Sequence, residues 1–329
     1  MTAGPTSDNR FLLHHSAVEG QGVPADDLSQ QTGAYLAACL SDATQRAYAG
    51  DLRDYLRWGG TFPGQPQDIL AYVSERAQNL RLSTLRRRLT GIGMAHVMAG
   101  VPDPTRSPLI RKVLRVVQRV HGVAQRRAVP ITEADLARMF EAAQSLPELR
   151  DRALMWLGFA AALRRSEIVA LQVEDLSFER SGLTVRLRRS KTDPYGRSRL
   201  IGIPEQAGGG VAIAAVKVWL QAGGVNEGAL FTRILVSGRR GARLSDQSVA
   251  LLIKRYAAAI GLPAERISGH SLRAGFVTSA VRAGASLVSI QRQTGHASLD
   301  MLARYIRELD PFVCNAHAAM ALPITQDDR

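Results

Sequence analysis

Residues 76–127 carry 12 Lys and Arg against a single acid, Asp103. Apolar residues in the same stretch recur at helical spacing. It must therefore fold as helices with one strongly cationic side. A merely solvated face would mix its signs. The remainder differs: residues 1–75 hold 4 Lys and Arg against 9 Asp and Glu, and residues 128–329 hold 26 against 19. The net charge of +13 is thus concentrated in about fifty residues, which points to a polyanionic partner.

The 329 residues are 46% hydrophobic, enough for two domains with their own cores. The apolar run at residues 211–220 is interrupted by Lys217 and is too short to span a bilayer. No charged-then-apolar leader opens the chain, so a cytoplasmic location is expected. Cys39 and Cys314 are isolated, and neither has ligand-like neighbours. Neither a disulfide nor a structural zinc is expected, and no cofactor motif is present.

Residues 1–30 are polar and aperiodic and read as a flexible arm. Asp42 is placed to cap a helix with Tyr48, Leu52, Tyr55 and Leu56 on one stripe, closed by Gly59 and Gly60. A second helix is expected at residues 66–76. Ser83 is placed to cap a third, with Leu85, Leu89, Ile92 and His96 inward. Arg86, Arg87 and Arg88 fall in its first turn, where cations oppose the helix dipole, so a phosphate ligand is expected there. Ser107 and Pro108 open a fourth helix ending at Gly122, with Ile110, Val113, Val117 and Val120 inward. Its other side repeats Arg111, Arg115 and Arg119 every four residues, with Lys112 beside them, a ridge suited to a phosphate backbone.

Residues 31–122 therefore read as a helical bundle with one strongly basic face, and residues 123–131 as an extended linker. A second domain covers residues 132–329. Thr132 and Asp135 form a capping box, and an apolar helix is expected at residues 150–163. Strand-like pieces follow at 173–178, 183–187 and 199–203, the last two joined by a turn holding Lys191. Helices are expected near 211–220 and 245–260. The fold class is mainly α with a small β-sheet.

Residues 268–305 gather an unusual polar set within apolar surroundings. His270 and Arg273 are three apart on an expected helix and share a face. His296 follows Gly295, where a short helix begun at Ser286 should end. Tyr305 lies nine residues later, in a helix started by Ser298. A guanidinium, two imidazoles and a phenol brought together suit attack on a phosphate.

With Arg164 in A-L-R-R-S-E-I, Lys191 in a strand–turn–strand, His270-x-x-Arg273, His296 in T-G-H and Tyr305 in A-R-Y-I-R, the chain resembles the tyrosine recombinase (phage integrase) family. Each motif alone is weak; together, in this order, they are specific. The resemblance covers both domains. It implies an N-terminal core-binding, SAM-like bundle and a C-terminal α+β catalytic domain. It selects Arg164 over Arg165, because the family's arginine stands three before Glu167. Arg164 and Arg273 would clamp the scissile phosphate in place of a metal. Tyr305 would attack to give a 3′-phosphotyrosine, and Lys191 would protonate the leaving 5′-oxygen. His270 and His296 would donate to a phosphate oxygen, with His270 also assisting proton transfer, and Glu167 would hold the arginine and histidine geometry.

The resemblance further implies double-stranded DNA with an inverted-repeat site and a homotetramer in the synapse. The last helix, carrying Phe312, Val313, Ala316, Ala319 and Met320, would dock into a neighbouring copy. Other readings stay open at this point. Lys191 can be an ordinary turn lysine, Glu167 a surface charge, and the tail helix a cover for its own domain. Type IB topoisomerases and hairpin telomere resolvases share the chemistry, and a non-catalytic DNA-binding protein can share the fold.

Overall fold

Ser41, rather than Asp42, caps the first helix: its side chain accepts from the Thr44 backbone N–H. Both residues are good caps, and the local pattern does not choose between them. The computed structural model describes residues 40–120, 128–188, 198–206, 208–296, 298–299 and 301–302. The arm, Lys191, Tyr305 and the tail helix lie outside the described residues. The chain divides into two units between Gln125 and Arg126.

The first unit contains α1 (Asp42–Trp58), α2 (Pro66–Arg76), α3 (Leu82–Met98) and α4 (Pro108–Val120). Gly59, at φ 111°, closes α1 in the left-handed conformation that its sequence suggested. The start of α3 differs from expectation. Arg81 is the N-cap and provides no side-chain cap, while Ser83 lies inside the helix.

Tyr55, Ile69, Tyr72, Leu85, Ile92 and Ile110 are fully buried and form the core of this unit. Tyr55 meets Tyr72 edge to face, with centroids 5.4 Å apart, the arrangement their ring quadrupoles favour. His96 is buried and satisfied at both nitrogens, 2.8 Å from the Ile92 carbonyl and 2.8 Å from the Gly64 N–H. In α4, Ile110 is buried and Val113, Leu114 and Val117 are partly so. Val120 was expected inward but is 68% exposed, as the core ends before it. The expected end of α4 at Gly122 lies outside the described residues.

The second unit opens where a linker was expected. The Val129 N–H donates to the Arg266 carbonyl at 2.9 Å, and the Ile131 N–H to the Ser271 carbonyl at 3.0 Å. Ile131 is fully buried, and its carbonyl runs so close to Gly275 that a Cβ there would collide with the oxygen. The last residues of the supposed linker are thus an integral strap of this unit.

Helix α5 (Glu133–Met139) starts with the expected box of Thr132 and Asp135. Helix α6 (Leu146–Ala160) begins four residues earlier than expected, because Ser145 and Glu148 form a second capping box. After α7 (Arg165–Ala170) come β1 (Leu176–Glu179), β2 (Gly182–Leu187) and β3 (Arg199–Pro204), antiparallel in that order. Val185 pairs with Ile201 and Leu183 with Ile203, putting their side chains into the core. The first part of the piece expected as a strand at 173–178 is instead a 3-10 turn, Val173–Asp175.

Helix α8 (Gly209–Ala222) packs on α6, and a hairpin of β4 (Thr232–Ile234) and β5 (Arg240–Arg243) follows. That hairpin was not expected, since its strands are three and four residues long and arginine-rich. Helices α9 (Asp246–Ala259), α10 (Ser271–Arg282) and α11 (Leu287–Thr294) complete the described unit. The architecture is mainly helical with small antiparallel sheets. No described helix is long and apolar enough to cross a membrane.

Candidate active site

The site is assembled from four local structures of the second unit. The first is the turn between α6 and α7. Arg164 is the N-cap of α7, and Glu167 reaches back to it: one carboxylate oxygen accepts from the Arg164 backbone N–H at 2.8 Å, the other from Arg164 Nη1 at 2.6 Å. Glu167 is 4% exposed, so the surface-charge alternative is excluded. Its carboxylate is fully engaged in orienting Arg164, and this bond fixes the fork of the guanidinium.

The same turn also positions Arg273. Ala162 is left-handed at φ 50°, a conformation that costs an L-residue with a Cβ about 1–2 kcal/mol. Its carbonyl accepts from Arg273 Nη1 at 2.8 Å. Residues 161–163 are fully buried, so packing holds the strained geometry in place. Arg273, in the first turn of α10, is 1% exposed. Two arginines 109 positions apart are thus aimed by one turn.

His270 is the N-cap of α10 and keeps a solvent-exposed edge, its backbone N–H donating to Ser268 Oγ at 3.1 Å. Desolvation by the surrounding protein, then the charges of Arg273, Arg164 and Arg165, lower its pKa, while Glu167 pulls the other way. His296 follows the C-cap of α11, Gly295, which is left-handed at φ 66° as its position suggested. Burial, followed by Arg273, Arg164, His270 and Arg199, holds the His296 pKa down to about 4. His296 Nδ1 lies 2.7 Å from the Thr294 hydroxyl, which is itself 2.7 Å from the Ile290 carbonyl. If the hydroxyl proton goes to that carbonyl, Nδ1 carries the imidazole proton and Nε2 stands as an acceptor. Without an anion present, His296 is neutral across the physiological range.

The structure therefore brings Arg164, Glu167, His270, Arg273 and His296 together. It adds Arg199, which no motif in the sequence singles out. Lys191 and Tyr305 lie outside the described residues. Arg199 could have been suspected from register. On β3 the inward positions are Arg199, Ile201 and Ile203, while Leu200 is 64% exposed. An arginine inward beside a leucine outward reverses the normal pattern.

The first unit corrects one expectation. Arg87 pairs with Asp51 at 2.6 Å, and Arg88 pairs with Asp54 and reaches Tyr72 Oη. These acids on α1 account for two of the three cations at the start of α3 without any ligand. The pairing also explains the Tyr72 pKa, which burial and then the Asp54 hydrogen bond push up to about 12. Arg86 instead donates to Gln118 Oε1 at 2.8 Å and lines an open groove with Arg111 and Arg115. Lys112 and Arg119 are likewise exposed on α4.

What this geometry can do follows from its charge. Arginine donors and two histidines surround a single carboxylate that is already used. An anionic oxygen entering here meets preorganised donors without the cost of reorienting water. Among the described residues no group of three or more His, Cys, Asp or Glu side chains converges. Arg164, Arg199 and Arg273 bring guanidinium charge here, which suits an anionic group such as a phosphodiester.

Comparison with known proteins agrees. Residues 130–310 match the phage integrase family, so a site built on two arginines and two histidines in a two-unit chain has a family to belong to. The chain is 36% identical over 322 residues to an integrase/recombinase XerD homolog of Selenomonas ruminantium, covering 94% of this chain and 93% of that protein. The chain belongs to the phage integrase family and is a tyrosine-type recombinase. The recombinase Cre of Escherichia phage P1 is a more distant relative, 25% identical over 76% of this chain and 78% of Cre. The H-S-L-R segment and residues 305–310 had suggested a chain most like Cre; over the whole chain the XerD homolog is more similar. The fold also matches the Tn1549 transposon integrase solved with transposon right-end DNA, at a TM-score of 0.62 and 16% identity, over 89% of this chain and 99% of that one.

Proposed function

We propose that the protein is a site-specific recombinase that cuts and rejoins double-stranded DNA through a 3′-phosphotyrosine on Tyr305. The observation that carries this reading is the single turn that aims both Arg164 and Arg273 at one place, with His270 and His296 beside them. The phenol oxygen of Tyr305 attacks phosphorus and passes its proton to His270. The P–O5′ bond breaks, and Lys191 protonates the departing 5′-oxygen. Arg164 and Arg273 hold the non-bridging oxygens as charge builds on them. The phosphodiester energy stays in the protein–DNA link, so rejoining by a 5′-hydroxyl needs no nucleotide.

His296 fits this scheme as a conditional donor. An arriving phosphate reverses the local field and favours its protonated form. It then donates from Nε2 only when DNA is in place.

Four copies on two inverted-repeat sites would exchange one strand pair, then the other, through a four-way junction. An apolar cavity of about 300 Å³ lined by Trp156, Phe159, Phe276 and Ile290 suits the apolar side of the tail helix of a neighbouring copy. Such a head-to-tail exchange closes into a ring. The experiment is to select bound DNA from a random library, build paired sites from it, and look for reciprocal strand exchange. Exchange between paired sites is expected. Relaxation of any supercoiled DNA without exchange would favour a topoisomerase instead.

The ridge on α4 supplies sequence-independent affinity in this scheme. Replacing Arg111, Arg115 and Arg119 by Ala is expected to weaken binding to all sequences. The slope of log affinity against log salt should fall by roughly one for each arginine–phosphate pair removed. An unchanged slope would return these residues to ordinary solvation.

A further inference from the structure

Arg199 opens β3, directly after the segment that holds Lys191. Its side chain crosses to the end of α11, where Nη1 donates to the Gln293 carbonyl at 3.1 Å. It fills the space where Gly295 has no side chain: a Cβ there would collide with Nη1. Gly295 is thus needed for its left-handed backbone and for the room it leaves the guanidinium.

Nothing about this arrangement resembles a stabilising ion pair. Arg164 is matched by Glu167 and Arg150 by Asp151. Arg199 has no carboxylate within ion-pair distance among the described residues, and its Nε and Nη2 are buried without a hydrogen-bond partner. Burial lowers its pKa; Glu167 raises it and Arg164 lowers it further, which places Arg199 within reach of both. Two unmatched buried donors on a cation are costly, and a well-packed apolar chain of similar size would be as stable or more so. Stability therefore does not explain an arginine here.

What it does explain is a connection. One end of Arg199 belongs to β3, and the other grips the turn that presents His296. Resting on the strand-transfer reading above, we propose that Arg199 is a positioning residue that ties the start of β3 to the Gly295–His296 turn, so that His296 keeps its place against the phosphate.

The test compares the full chain with Arg199→Met and Arg199→Lys. Affinity for site DNA should change little, since the helical unit supplies phosphate contacts. Covalent linkage to nicked DNA should slow on the order of 10–100-fold in the Met variant, the scale of loss when reacting groups are misplaced by about 1 Å. Lys keeps the charge and one donor and should recover part of the rate. The Met variant should melt no lower than the parent. In the free protein, NMR titration should show His296 gaining its proton at a higher pH once the nearby charge is gone. A Met variant that links at the parental rate overturns the proposal. So does one that melts lower with no rescue by Lys, or an unchanged His296 titration. A parent that makes no link at all overturns the strand-transfer reading, and the His296 titration then still decides whether Arg199 acts on that turn.

Discussion

With Tyr305 changed to Phe, the protein is expected to bind site DNA as before and to form no covalent link with it. The change removes one oxygen and leaves the ring, so packing and the basic ridge stay intact. Loss of the nucleophile has no partial substitute, because none of the donors at the site can form a stable ester with phosphorus. Arginine has no free electron pair to offer, an imidazole would give only a labile phosphoramidate, and Glu167 is bound at both oxygens by Arg164. The readout is denaturing electrophoresis of protein with labelled nicked DNA. A link that survives Tyr305→Phe would show that another residue attacks.

Arg273→Lys is expected to have the second largest effect. Arg273 is 1% exposed and pinned by the Ala162 carbonyl, so it cannot be replaced by a neighbour swinging in. Lys keeps the positive charge but loses the planar fork that meets two phosphate oxygens at once. Linkage should slow by about 10²–10³-fold, the usual loss when one preorganised donor to a developing oxyanion is removed. DNA affinity should fall far less, because most phosphate contacts lie elsewhere. Single-turnover rates against gel-shift affinities separate the two. Equal losses in both would mean that Arg273 merely binds.

Much of the second unit was legible because its signals are local. Gly295, Ser286 and the Thr132 box mark helix ends through their own backbone chemistry, and the structure has each where the sequence put it. Misreadings came where distant residues decide. The cations of α3 looked unmatched because Asp51 and Asp54 are over thirty positions away, and only the packing of α1 on α3 joins them. The strap through Ile131 looked like linker because its partners, Arg266 and Ser271, lie far along the chain. The role of Ala162 was invisible, since nothing in A-A-L-R announces a left-handed alanine. Arg199 required knowing which face of β3 is buried. The hairpin of β4 and β5 has too few residues to show a period.

The most direct measurement is to incubate the intact protein with nicked site DNA in excess EDTA, digest the product, and identify the joined peptide and DNA end by mass. Strand transfer through Tyr305 predicts a peptide containing that residue joined to a 3′-phosphate, with a free 5′-hydroxyl on the released strand. An adduct that needs added metal, sits on another residue, or joins the 5′ end would contradict it.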